Sequence, residues 1–99
     1  MELYQAPAIY EKLINYDEEK EIQLRLVVNT FYGKEYLHLR KYYLDFEGEW
    51  QASSDGVAMV LDIHNSRELF TGLVELLSQA ESKNILEEHF GDLINEMYA

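Results

Sequence analysis

The residues with the most chemical promise lie between positions 20 and 50. Lys34 and Arg40 carry charges that can neutralise phosphates, and Phe31, Tyr36 and Tyr42 carry rings on which bases can stack. Their spacing puts them together. Residues 21–31, EIQLRLVVNTF, alternate: Ile22, Leu24, Leu26 and Val28 form one face, and Gln23, Arg25, Val27, Asn29 and Phe31 the other. Residues 35–43, EYLHLRKYY, return with Leu37 and Leu39 toward the core and Tyr36, His38, Arg40 and Tyr42 opposite. A fully buried, unpaired charge is very costly, so Arg25, Lys34, His38 and Arg40 need either solvent or partners inside the protein. Antiparallel sheets are commonly covered on one face only. Left open, this face interleaves cations with rings, a recipe for holding an extended single strand of nucleic acid. The plainer reading is a solvated face whose rings pack across strands against Arg and Lys stems.

Other chemistry finds little support. His38, His64 and His89 fall in three separate elements without metal-ligand spacing. The pairs Glu18/Glu19 and Glu87/Glu88 lack the partner pattern of a catalytic dyad and read as solvated charge. No glycine-rich phosphate loop, nucleophile elbow or calcium loop occurs. With no cysteine in the chain, disulfides, thiolate zinc sites and cysteine nucleophiles are excluded. The expectation is a protein that is not an enzyme and needs no cofactor or metal.

The elements that must position the site read as follows. Pro7 suits a first helical position, and Ile9, Leu13 and Tyr16 then share one side of a short helix over residues 7–16. Residues 17–20 read as a loop. Gly33 marks the turn between the two alternating strands, and Asp45 to Gly48 mark a second turn. A third strand begins at Glu49–Gln51, and Ser53–Gly56 form a third turn. Val57–Leu61 read as a buried fourth strand. Asn65 with Glu68 resembles a capping box, followed by Leu69, Phe70, Leu73, Val74, Leu76 and Leu77 on one helical face. Asn84 with Glu87 opens another helix, whose stripe includes Phe90, Leu93, Ile94 and Met97 and whose outer face is acidic. The class is α+β: a four-stranded antiparallel sheet with helices on one face.

Ninety-nine residues make one domain, and 47% hydrophobic composition can supply a core. No apolar run approaches 18 residues, and the N-terminus lacks a basic-then-apolar signal pattern, so a soluble, intracellular protein without a membrane segment is expected. The net charge of −11 argues against nucleic acid when taken whole. Resolved along the chain it is −4 over residues 1–19, +3 over 20–41, −6 over 42–80 and −4 over 81–99. Seven of the 13 aromatics fall within residues 31–50, overlapping the basic stretch.

The stretch Phe31-Tyr-Gly-Lys-Glu-Tyr-Leu-His-Leu-Arg-Lys-Tyr-Tyr-Leu-Asp-Phe-Glu-Gly-Glu-Trp50, with Gly56-Val57 after it, resembles the core of the transcriptional coactivator Positive Cofactor Four. Gly-Lys, Arg-x-aromatic-aromatic and Asp-x-Glu-Gly-Glu together carry the resemblance, which covers roughly residues 20–80. It implies a curved four-stranded antiparallel sheet followed by a helix, and a homodimer made through the helices. It also implies sequence-independent binding of single-stranded or unwound DNA, in a family with bacterial and phage members proposed to act in replication and recombination as well as transcription. Carried over by position, Phe31 is a base-stacking ring, Lys34 and Arg40 are backbone contacts, and Tyr43 stands where a stacking tryptophan often occurs. Eukaryotic members carry Lys or Arg at the positions of Tyr32, Gln51 and Asp55, which this chain lacks; at position 32 stacking can partly replace charge.

The expected nucleic-acid surface is therefore Arg25, Phe31, Tyr32, Lys34, Tyr36, His38, Arg40 and Tyr43. The expected dimer surface is Leu69, Phe70, Leu73, Leu77, Phe90, Leu93, Ile94 and Met97. Residues 1–19 would be an acidic extension, 20–82 the DNA-binding core, and 83–99 a helix extending the dimer interface. The acidic terminal segments could recruit protein partners. The competing expectation is an acidic protein-interaction module on the same fold that does not bind DNA.

Overall fold

A computed structural model describes residues 1–79. The chain divides into two units, Met1–Asp62 and Ile63–Ala99. The first holds a 3-10 turn at Leu3–Gln5 and four strands: β1 (Ala8–Asp17), β2 (Ile22–Phe31), β3 (Lys34–Leu44) and β4 (Trp50–Val60). They form one antiparallel meander in the order β1-β2-β3-β4. In the second unit, α1 spans Ile63–Leu77. The α+β class, with a four-stranded antiparallel sheet followed by a helix, is thus as expected, but the four strands are not the expected four.

Residues 7–16 are not a helix. Ala8–Asp17 is an edge strand that pairs with β2 from Ala8 opposite Asn29 to Asp17 opposite Ile22. Bulges between Ala8 and Tyr10 and between Leu13 and Asn15 reset its alternation. The surviving spacing of Ile9, Leu13 and Tyr16 mimics a helical stripe.

At the other edge, the expected turn at Ser53–Gly56 lies inside β4. Tyr42 pairs with Ala52 and Arg40 with Gly56, so Ser53, Ser54 and Asp55 together face Lys41. Hydrogen bonds hold this bulge: Ser53 Oγ donates to the Lys41 carbonyl at 2.8 Å, and the Asp55 amide donates to Ser53 Oγ at 3.1 Å. Asp55 also pairs with Lys41 at 3.2 Å. A Cβ at Gly56 would lie 2.8 Å from both Arg40 Cα and the Leu39 carbonyl oxygen, so only glycine lets the bulged strand rejoin β3.

The sheet is strongly curved. Strands β1 and β4 are three steps apart, about 14 Å in a flat sheet. Yet Tyr16 of β1 and Trp50 of β4 meet edge to face with ring centroids 6.0 Å apart. The face carrying Tyr16, Gln23, Arg25, His38, Arg40, Tyr42 and Trp50 is therefore concave.

This face is also where burial is deepest, against expectation. Val27, Asn29, His38, Arg40 and Tyr42 are buried, whereas Leu24, Leu26, Val28 and Leu37 on the convex side are half-buried and Leu39 is exposed. The reason is local: residues 3–6 lie against the concave face, where Ala6 is buried.

In α1, the helix starts two residues before Asn65, so Asn65 is not its cap. It ends where Ser78 turns back, its amide donating to the Val74 carbonyl at 2.9 Å. The C-terminal helix expected from residue 84 onward lies outside the described residues. No helix among the described residues is long and apolar enough to cross a membrane.

Candidate nucleic-acid interface

The β2–β3 connection is a two-residue hairpin turn. Phe31 pairs with Lys34, and both central residues have left-handed backbones, Tyr32 with φ of 50° and Gly33 with 79°. This is the type I′ signature, whose twist matches the flanking strands. Gly33 suits it; Tyr32 does not, since a left-handed L-residue costs roughly 1–2 kcal/mol. Tyr32 is nonetheless held there, 91% exposed, with its ring edge-on to Phe31 at 4.5 Å. Lys34 is exposed across from Phe31, and Tyr36 is half-exposed one pair further along the same face. The hairpin end thus brings together Phe31, Tyr32, Lys34 and Tyr36.

Deeper in the concave face, Arg25, His38 and Arg40 have found partners inside the protein. Arg25 donates to Gln23 Oε1 through Nε at 2.8 Å and NH2 at 2.6 Å, pairs with Glu11 at 3.7 Å, and lies over the Tyr42 ring at 4.2 Å. Burial first, and the Glu11 carboxylate second, push the Tyr42 phenol above its ordinary pKa. His38 is 2% exposed and Arg40 6%. Arg40 NH1 donates to the Ser53 carbonyl at 3.1 Å, and NH2 lies 3.3 Å from His38 Nδ1. His38 Nε2 lies 2.9 Å from Asn29 Oδ1.

The bonding fixes the imidazole. Guanidinium can only donate, so His38 Nδ1 accepts. Asn29 spends its amide group on the Leu3 carbonyl at 2.9 Å and the Ala6 carbonyl at 3.3 Å, so its oxygen accepts from His38 Nε2–H. His38 is therefore neutral, and burial, reinforced by the Arg40 charge, holds its pKa below the ordinary 6.5. The expectation of an open cationic face fails at His38 and Arg40, which are sealed rather than solvated.

Tyr43 stands apart. It pairs with Ile22 and Gln51 and points to the convex side, 47% exposed, so it does not share a face with Arg40. Of the expected dimer residues, Leu69, Phe70 and Leu73 lie in α1 and are exposed, and Leu77 is its last residue. Phe90, Leu93, Ile94 and Met97 lie outside the described residues.

The Asp-x-Glu-Gly-Glu segment has a structural role. Asp45 Oδ1 accepts from the amides of Glu47 and Glu49, both at 2.9 Å, and Oδ2 accepts from Gln51 Nε2 at 3.1 Å. Gly48 supplies a φ of 79°. These bonds, led by the Glu49 amide, hold the Asp45 carboxyl below its ordinary pKa.

A cleft of about 430 Å³ opens beside the buried centre, lined by Tyr4, Pro7, Glu11, Tyr42, Trp50 and Ala52 among others. The reading of residue types missed Asn29, Tyr4 and Trp50. One signal for Asn29 was available: an amide directly after Val27 and Val28, on the same face as His38 and Arg40. Among the described residues no group of His, Asp or Glu could hold a metal ion.

No protein-family model matches the chain, and no curated protein matches it significantly in sequence. Among solved structures it is similar to the bacteriophage T5 homolog of the eukaryotic transcription coactivator PC4, a protein implicated in recombination-dependent DNA replication. The two superpose with a TM-score of 0.64 over 92% of this chain and 99% of that one, at 23% sequence identity. The likeness read from Phe31 to Val57 thus has a counterpart in three dimensions: the chain has the fold of a Positive Cofactor Four homolog.

Proposed function

We propose that the protein binds single-stranded DNA without sequence preference, as a homodimer, on unwound DNA in replication, recombination or transcription. The observation that carries this reading is the hairpin end, where Phe31 and Tyr32 present rings beside the exposed ammonium of Lys34. Rings of this kind stack on any base, each worth roughly 1–3 kcal/mol, while a neighbouring cation tracks the backbone. That the T5 protein is implicated in recombination-dependent DNA replication supports the same reading. The exposed Leu69, Phe70 and Leu73 of α1 support a helix-mediated dimer.

Fluorescence anisotropy with a labelled oligothymidylate tests it. Saturable binding is expected, weakened about tenfold or more by Phe31→Ala, in line with the loss of one stacking partner. No saturable binding at low salt would reject the reading. That result would favour an acidic protein-interaction module, which the burial of His38 and Arg40 already makes worth testing in the same titration.

A further inference from the structure

Arg40 is the least well satisfied charge in the sheet. It is 6% exposed, yet its Nε–H has no hydrogen-bond partner. Neither the Arg25–Glu11 pair nor the Lys41–Asp55 pair reaches it. Its flat face lies 5.1 Å from the Tyr4 ring centroid. Beside it, through His38, Asn29 spends both amide protons on the carbonyls of Leu3 and Ala6. Residues 3–6 therefore present to the concave face a ring on a guanidinium and two acceptor oxygens on a buried amide. A nucleic-acid strand offers the same two kinds of group, a base and phosphate oxygens.

The strap is a poorer ligand than a strand would be. A buried donor left unpaired carries its full desolvation cost. The guanidinium edge formed by Nε and NH2 is the fork that fits phosphate in bidentate fashion. Here one prong is empty and the other rests on His38 at 3.3 Å. A phosphate oxygen at that edge would satisfy Nε and add the counter-charge Arg40 lacks. Peeling back a short segment with one buried side chain, Ala6, would free the site.

Resting on the DNA-binding reading above, we propose that residues Leu3–Ala6 are an internal competitor occupying a phosphate-and-base subsite built from Asn29, His38 and Arg40. DNA enters this subsite only by displacing the strap. Asn29 then passes its two donors from the Leu3 and Ala6 carbonyls to the strand. The apparent affinity of the intact chain is the intrinsic affinity reduced by the fraction of molecules with the strap lifted.

The test compares the full chain with Tyr4→Ala and with Ala6→Gln, using oligothymidylate anisotropy. The first removes the ring over Arg40, and the second makes the buried strap residue too large for its seat. Each is expected to bind about tenfold more tightly, as expected when the open fraction rises by that factor. The double variant Tyr4→Ala/Arg40→Gln should lose the gain. Amide hydrogen exchange of the wild-type chain supplies a second readout, independent of any variant's folding. Gln5 and Ala6, whose amides bond to Glu2 and Leu3, should lose protection when oligonucleotide is added. Unchanged or weaker binding by both strap variants, or strap amides still protected in the complex, would overturn the competitor while leaving DNA binding intact. If no variant binds at low salt, the DNA-binding reading itself fails and the competitor with it.

Discussion

Tyr32 shows how much a single position can give up for exposure. Its backbone sits at φ 50°, in a turn where asparagine or glycine would be at ease, and its ring is almost fully solvated. Local strain of this kind persists where the surroundings enforce it and tends to gather at binding sites. Tyr32→Asn is expected to stabilise the fold by about 0.5–1 kcal/mol, the left-handed penalty less the lost contact with Phe31. The same change should weaken oligonucleotide binding. Urea denaturation beside anisotropy would read both, and a destabilised variant with undiminished binding would contradict the account. His38 makes a second residue-scale prediction. Its pKa is lowered in the folded state, so its contribution is fully present above the unfolded value near 6.5 and is lost as pH falls below it. Protonated, Nδ1 would turn an accepted bond into repulsion from Arg40, the charge facing it; its other bonded partner, Asn29, is neutral. Melting temperature should therefore decline from pH 7 toward pH 5, and His38→Gln should flatten that decline. An equal slope in the variant would assign the effect elsewhere.

Among the elements, β2 and β3 were legible because their alternation is unbroken: Leu24, Leu26 and Val28 against Arg25, Val27 and Asn29, paired in register with Leu37, Leu39 and their neighbours. Strands β1 and β4 were not, and the reason is the same at both edges. A bulge shifts the two-residue period, so Ile9, Leu13 and Tyr16 line up as if on a helix, and Ser53 to Gly56 looks like a turn. The concave face was legible as the place where cations and rings gather, but not as a buried one. Residues 3–6 carry no pattern to announce that they lie across it, and the buried Asn29 amide at the head of the chain Asn29–His38–Arg40 finds its acceptors only once they do. Gly56 is where the bulged edge can be tested. Because a Cβ there meets backbone rather than a movable side chain, Gly56→Ala should cost about 1–3 kcal/mol and distort the β3–β4 ladder. Thermal denaturation and the amide exchange of β4 would show it. A variant as stable as the parent would mean that the bulge relaxes at no cost.

At the scale of the whole molecule, a net charge of −11 and a DNA-binding surface are compatible only if binding leans on rings. The structure narrows the available cations further. Arg25 is engaged with Glu11, Lys41 with Asp55, and Arg40 is covered, so Lys34 is the readily exposed cation at the hairpin end. Long-range attraction is weak in such a protein, but the Debye length near 8 Å at physiological salt lets a local cation act while acidic segments farther off are screened. On the proposed reading, two phosphates neutralised per protomer, by Lys34 and by Arg40 once the strap lifts, would set a salt dependence of about −1.4 in log affinity against log salt. Stacking contributes nothing to that slope. Lys34→Ala should halve it, whereas Phe31→Ala should lower affinity at every salt concentration and leave the slope unchanged. Anisotropy titrations across a salt series decide the matter. A slope several times steeper would mean that cations outside the concave face carry the binding, and the acidic surface would then have to be bypassed rather than screened.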